Sequence, residues 1–153
     1  IHLDAKTAAL AVSLMALANT AGRVLWGWVS DRMGPYPTLV IMFILSAAMM
    51  GVLKFAGSFT PFVIVISVIA ACFGGFFAIF PSITADLFGA KNLSMNYGIL
   101  FTSYGVAAFI GPRLAARVKE LNNGDYSTAF FAAAIMCSFA IVLTLFARKR
   151  ALR

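Results

Sequence analysis

The sequence predicts an all-α integral membrane protein with five transmembrane helices, and three observations carry that prediction. Hydrophobic residues fill 62% of the 153 positions and charged residues only 11%, against about 45–50% and about 25% in soluble domains. The mean hydropathy is +0.95. The apolar residues also fall into five long runs, each with the roughly 20 residues that cross about 30 Å of hydrocarbon as a helix. A long helical run satisfies its own backbone groups in lipid, as short alternating strands in an open sheet cannot.

The first segment covers about 5–30; Asp4 or Thr7 can cap its start, and Gly34-Pro35 ends it. The second, about 37–56, follows a Pro-Tyr-Pro turn in which Pro37 suits a first helical position. The third, about 61–88, has Thr60 as its expected N-cap and stops at Gly89. The fourth runs over about 93–119 and the fifth over about 126–147. Loops of roughly 3 to 7 residues make successive helices antiparallel neighbours. Ala70, Gly74, Ala78 and Ser82 form a stripe of small residues spaced by four, suited to close helix packing. Gly74-Gly75 and Pro81 predict a bend in the third helix. Gly98, Gly105 and Gly111-Pro112 give the fourth similar freedom.

The net charge is +7, but the basic residues lie mostly at the ends of apolar runs. That is a membrane-orientation signal, not a nucleic-acid footprint. The tail Arg148, Lys149, Arg150 and Arg153 sets the C-terminus inside, and five crossings set the start of the chain outside. With that orientation six Lys and Arg lie inside and five outside (Lys6, Lys54, Arg113, Arg117 and Lys119), a bias carried by the tail. Cys72 and Cys137 sit mid-helix in apolar surroundings and read as small packing residues. His2 is given no role. No metal-ligand cluster, no Ser/His/Asp set and no paired carboxylates within the bilayer are visible, so neither an enzyme nor a cofactor is expected. The chain opens on IHLDAKTAA without an initiator methionine. It is expected to be the C-terminal part of a longer protein, whose missing N-terminal helices are a partner of this bundle, as membrane lipid is.

The stretch from Asn19 to Gly34, NTAGRVLWGWVSDRMG, organises the rest. Arg23 lies inside an apolar helix, eight residues before Asp31 and so roughly 12 Å from the inner turn. A cation at that depth costs about 2.5–3.5 kcal/mol on insertion scales and normally faces a bundle interior or a watered cavity. Guanidinium keeps its charge there and grips a carboxylate with two parallel hydrogen bonds. Asn19, four residues earlier, shares its face and can orient it or contact the substrate. Asp4, Asp31, Asp86, Glu120 and Asp125 all fall near helix ends, so a mid-membrane partner for Arg23 is expected in the cargo or in the missing helices.

Gly27, Asp31, Arg32 and Gly34, set as Gly-x-x-x-Asp-Arg-x-Gly between two helices, resemble the signature of the major facilitator superfamily of secondary transporters. Pro35, Tyr36 and Pro37 stand where that signature usually carries basic residues. The runs Phe80-Pro81-Ser82, Asp86-Leu87-Phe88-Gly89, Asn96-Tyr97-Gly98 and Gly105-Val106-Ala107-Ala108 with Gly111-Pro112 are similar to the oxalate/formate antiporter family, as is GRVLWGWVSDRMG. The resemblance covers essentially the whole chain, 1–153, as helices 8 to 12 of the C-terminal six-helix half of a twelve-helix fold. It implies a bacterial inner membrane location with the C-terminus cytoplasmic. Gly27, Asp31, Arg32 and Gly34 are then a cytoplasmic gating motif.

The resemblance also implies an anion site. Arg23 matches an anion-contacting arginine on helix 8, and Phe73 and Phe77 fit the aromatic wall supplied by helix 10. The oxalate exchangers carry a lysine on helix 11 where this chain has Tyr104, in Thr102-Ser103-Tyr104. Two cations suit a dicarboxylate, whereas one cation and a phenol suit a monoanion. The expected function is therefore secondary active transport of small organic anions by alternating access. Monocarboxylates such as formate, pyruvate or lactate are the expected cargo, with oxalate/formate exchange also within reach. A proton-coupled monocarboxylate symporter is the alternative, although such carriers typically place an aspartate where this chain has Asn19. A non-transporting membrane sensor on the same fold is a third reading.

Overall fold

The computed structural model describes residues 4–122 and 126–151. His2, Asp125 and Arg153 lie outside the described residues. Five α-helices run along the chain: α1 (Ala5–Met33), α2 (Pro35–Leu53), α3 (Phe59–Phe88), α4 (Leu93–Leu121) and α5 (Ser127–Ala151). All five are long and apolar enough to cross a membrane. At 1.5 Å per residue the 30-residue α3 is about 45 Å long, so its ends reach past the hydrocarbon.

The ends follow from local chemistry. Asp4 caps α1 by accepting the Thr7 N–H at 3.3 Å. Bonds from Thr7, its side chain foremost, hold the Asp4 carboxyl below its ordinary value. At the other end α1 continues past Ser30, through Asp31 and Arg32, to Met33. Once clear of the apolar run these polar residues still extend a helix, and only Gly34 breaks it. Gly34 has φ 86°, a left-handed value that favours glycine, and its N–H donates to the Ser30 carbonyl at 2.8 Å. The link to α2 is thus a single residue. Pro35 takes the first position of α2, so Pro-Tyr-Pro forms the first helical turn instead of a loop. Ser58, not Thr60, precedes the first residue of α3.

Two glycines set the tightest packing, between α1 and α3. A Cβ on Gly22 would fall on the Ala71 carbonyl, and one on Gly74 would fall on the Asn19 carbonyl. Each helix therefore gives up a side chain where the other's backbone passes, as close-packed membrane helices require. Gly27 continues the same seam, facing Ala78. Beside it Gly75 leaves room for Trp26 and Met42, which form a core with Leu39, Cys72, Ile79 and Ile83. The two thiols, Cys72 buried and Cys137 half-buried, are free. Towards the other end of the bundle Ala11 packs on Val63 and Ile66. The helix α2 lies between α3 and α5, while α4 touches α3 and α5 lightly and buries none of its residues.

Gly74→Ala is expected to force α1 and α3 apart. Overpacking of this kind costs about 1–3 kcal/mol, so the melting temperature in detergent should fall by several degrees. Gly98→Ala, where an added Cβ meets open space, is the control and should leave it within about one degree.

Candidate functional site

Arg23 leaves α1 ten residues before Met33, about 15 Å from that end. Its Nη2 donates to Asn19 Oδ1 at 3.4 Å. Asn19 Nδ2 in turn donates to the Ala70 carbonyl on α3 at 3.2 Å. Asn19 therefore uses both ends of its amide to hold the guanidinium to the neighbouring helix. This tie is possible because Gly74 lets the backbones of α1 and α3 meet beside it.

The guanidinium also stands over the Phe77 ring, 5.4 Å from its centroid. Phe77 is where the aromatic side chains converge. Phe73 meets it edge-on at 5.1 Å and 89°, and Tyr104 of α4 meets it at 5.5 Å and 78°. Tyr104 also lies 6.0 Å from Phe73 and 5.1 Å from Phe101. Offset and edge-to-face pairs at such separations are attractive by about 0.5–1.5 kcal/mol. Arg23, Asn19, Phe73, Phe77 and Tyr104 thus come together from three helices. No acidic side chain forms an ion pair with Arg23 among the described residues.

Two further rings belong to this wall. Phe101 lies 5.8 Å from Phe77, and Tyr97 lies 5.6 Å from Phe101. Tyr97, Phe101 and Tyr104 are spaced by four and three, one face of a helix. Behind them a cavity of about 480 Å³ opens between α3 and α4, closed on the α2 side by Phe43. Phe76 and Phe80 complete its α3 wall.

Magnitudes indicate what the arginine lacks. A cation over a ring within about 6 Å gains about 0.5–2 kcal/mol. The Asn19 bond, at 3.4 Å, is long and weak. Together these offset only part of the cost of a guanidinium inside a membrane. An anion presented to its remaining donors would supply the rest.

At the Gly34 end of α1, Asp31 is exposed and Arg32 stacks on Trp28, its Cζ 3.8 Å from the ring. Trp28 and Arg32 are four apart on one helical face. No ion pair involves Asp31 among the described residues.

Five helices of membrane-crossing length define a polytopic helical membrane protein, and Arg23 stands exposed on α1 beside the ring of Phe77. The family model of the Major Facilitator Superfamily matches residues 1–153. The chain belongs to that superfamily of transporters. It is 29% identical over 152 residues to the oxalate:formate antiporter of Oxalobacter formigenes, covering 98% of this chain and 36% of that protein. It is 34% identical over 108 residues to the MFS-type transporter YhjX of Escherichia coli strain K12, covering 70% and 27%. With monocarboxylate transporter 12 of Xenopus laevis it shares 27% identity over 147 residues, covering 94% and 32%. The chain spans about a third of the length of these relatives.

Proposed function

We propose that this chain forms part of a secondary carrier for small monocarboxylates, with Arg23 as the residue that binds the carboxylate. The observation that carries the reading is the convergence on Phe77. Arg23 of α1, oriented by Asn19, and Tyr104 of α4 both contact this ring. One cation and one phenol complement a single carboxylate, and the rings around them offer apolar surface to the rest of the molecule. The similarity to an oxalate:formate antiporter and to a monocarboxylate transporter supports the same substrate class. Alternating access about a midplane site requires no covalent chemistry. The C-terminus faces the cytoplasm of a bacterial inner membrane in this reading.

Competition tests the assignment. In proteoliposomes of the full-length protein, uptake of labelled pyruvate should be inhibited by unlabelled formate, lactate and pyruvate. Neutral analogues of the same size should not inhibit. Inhibition by the neutral amides as strong as by the acids would overturn a carboxylate site.

In this reading Gly27, Asp31, Arg32 and Gly34 form the cytoplasmic gate. Gly34 makes the reversal between α1 and α2 abrupt, and Arg32 is held on Trp28, next to an Asp31 that has no ion pair among the described residues. Asp31→Asn is expected to change the balance of inward- and outward-open states without touching the anion site. Labelling of single cysteines from either side should shift several-fold. Unchanged labelling and turnover would reduce the turn to a connector.

A further inference from the structure

We infer, resting on the monocarboxylate reading above, that the preferred substrate carries a planar aromatic group. Its carboxylate meets Arg23 and its ring enters the cavity between α3 and α4. The first observation is size. The cavity, open on one side, holds about 480 Å³, and sites for whole small molecules span about 300–1,000 Å³. Even at water's share of about 30 Å³ per heavy atom, formate takes about 90 Å³ and pyruvate about 180 Å³. Either would leave more than half of the space unfilled. Phenylpyruvate, with twelve heavy atoms, takes about 360 Å³ on the same scale.

The second observation is the chemistry of the wall. Phe77, Phe101 and Tyr104 meet one another at 5.1–5.8 Å, and all three line the cavity. Their mutual tilts of 43–78° present both ring faces and ring edges, the two surfaces against which another aromatic ring packs. Ser103 and the two tyrosine hydroxyls are the polar groups of the lining, enough to orient a ligand but not to solvate a second charge.

The third observation is placement. Phe77 is both a wall of the cavity and the ring under the Arg23 guanidinium. The anion position and the apolar space are therefore separated by the thickness of one side chain. A carboxylate joined to an aryl group through one or two carbons reaches from one to the other around the Phe77 edge.

Exchange in proteoliposomes of the full-length protein tests this, with labelled pyruvate and labelled phenylpyruvate as probes. Phenylpyruvate is expected to half-saturate at a concentration at least tenfold below pyruvate. Ala107→Trp, which places an indole in the cavity, should reduce that ratio to about one. Phe101→Ala, which removes a wall, should reduce it at least threefold and serves if the larger residue prevents insertion. A wild-type protein that exchanges pyruvate but takes phenylpyruvate no better overturns the aryl inference and leaves the monocarboxylate reading standing. Failure to exchange either acid overturns both. A tenfold advantage that persists in either inserted variant overturns the placement of the ring.

Discussion

Arg23→Gln is expected to abolish carboxylate transport in the full-length protein while membrane insertion stays normal or improves. Insertion gains because a centre-of-membrane cation costs about 2.5–3.5 kcal/mol and glutamine less. Transport is lost because the substrate's charge then enters a ring-lined site unpaired. Breaking a buried charge pair by removing one partner costs about 3–5 kcal/mol, and each 1.4 kcal/mol is tenfold in affinity. The loss should therefore be at least a hundredfold. Glutamine can still bond Asn19, so the scaffold that holds position 23 survives. Arg23→Lys should recover only part of the activity, since it keeps the charge but loses the planar fork. The measurement is initial exchange rate per inserted molecule, and wild-type rates in Arg23→Gln would remove Arg23 from the site.

Tyr104→Lys is expected to turn a protein that discriminates against oxalate into one that accepts it. With Arg23 alone, a dianion keeps one negative charge unmatched among Phe73, Phe77 and Phe101. Desolvating such a charge costs several kcal/mol even after relaxation, which is a hundredfold or more in affinity. A lysine at 104 would sit where the phenol now lies, against Phe77, and would match the second carboxylate. The same ammonium would weaken binding of a monoanion, because it would then be the unpaired charge. Inhibition of labelled formate or pyruvate uptake by oxalate, in wild type and in Tyr104→Lys, reads both effects. Equal inhibition by oxalate in the two proteins would show that Tyr104 does not select for charge.

The fold was largely legible because a membrane imposes it. Hydrocarbon thickness fixes helix length, and five apolar runs of that length leave little choice. The ends were less legible. Asp31 and Arg32 look like a stop in an apolar helix, but nothing in their chemistry breaks a helix, and α1 runs on until Gly34 forces a positive φ. The sequence places the helix start at Pro37 after a Pro-Tyr-Pro turn, whereas α2 begins two residues earlier with Pro35 at its first position.

Within the site, contacts along one helix could be read from spacing. Asn19 with Arg23 and Phe73 with Phe77 are both four apart, and both pairs are in contact. Contacts between helices could not. The Asn19 bond to Ala70 exists because Gly22 and Gly74 bring α1 and α3 together at that height, which no single-helix pattern encodes. Tyr104 entered through its departure from a family pattern. Phe101 and Tyr97 share its face, but with 15 phenylalanines in the chain such stripes arise wherever a helix is apolar. Only the register of α4 against α3 singles them out.

The most direct test of the account is counterflow. Proteoliposomes loaded with unlabelled pyruvate and diluted into trace labelled pyruvate should accumulate label transiently, with no ion gradient imposed, when they carry the wild-type protein. They should accumulate none above protein-free vesicles when they carry equal amounts of inserted Arg23→Gln. Absence of counterflow with every monocarboxylate tried, or counterflow that survives the loss of Arg23, would contradict a carrier built around this arginine.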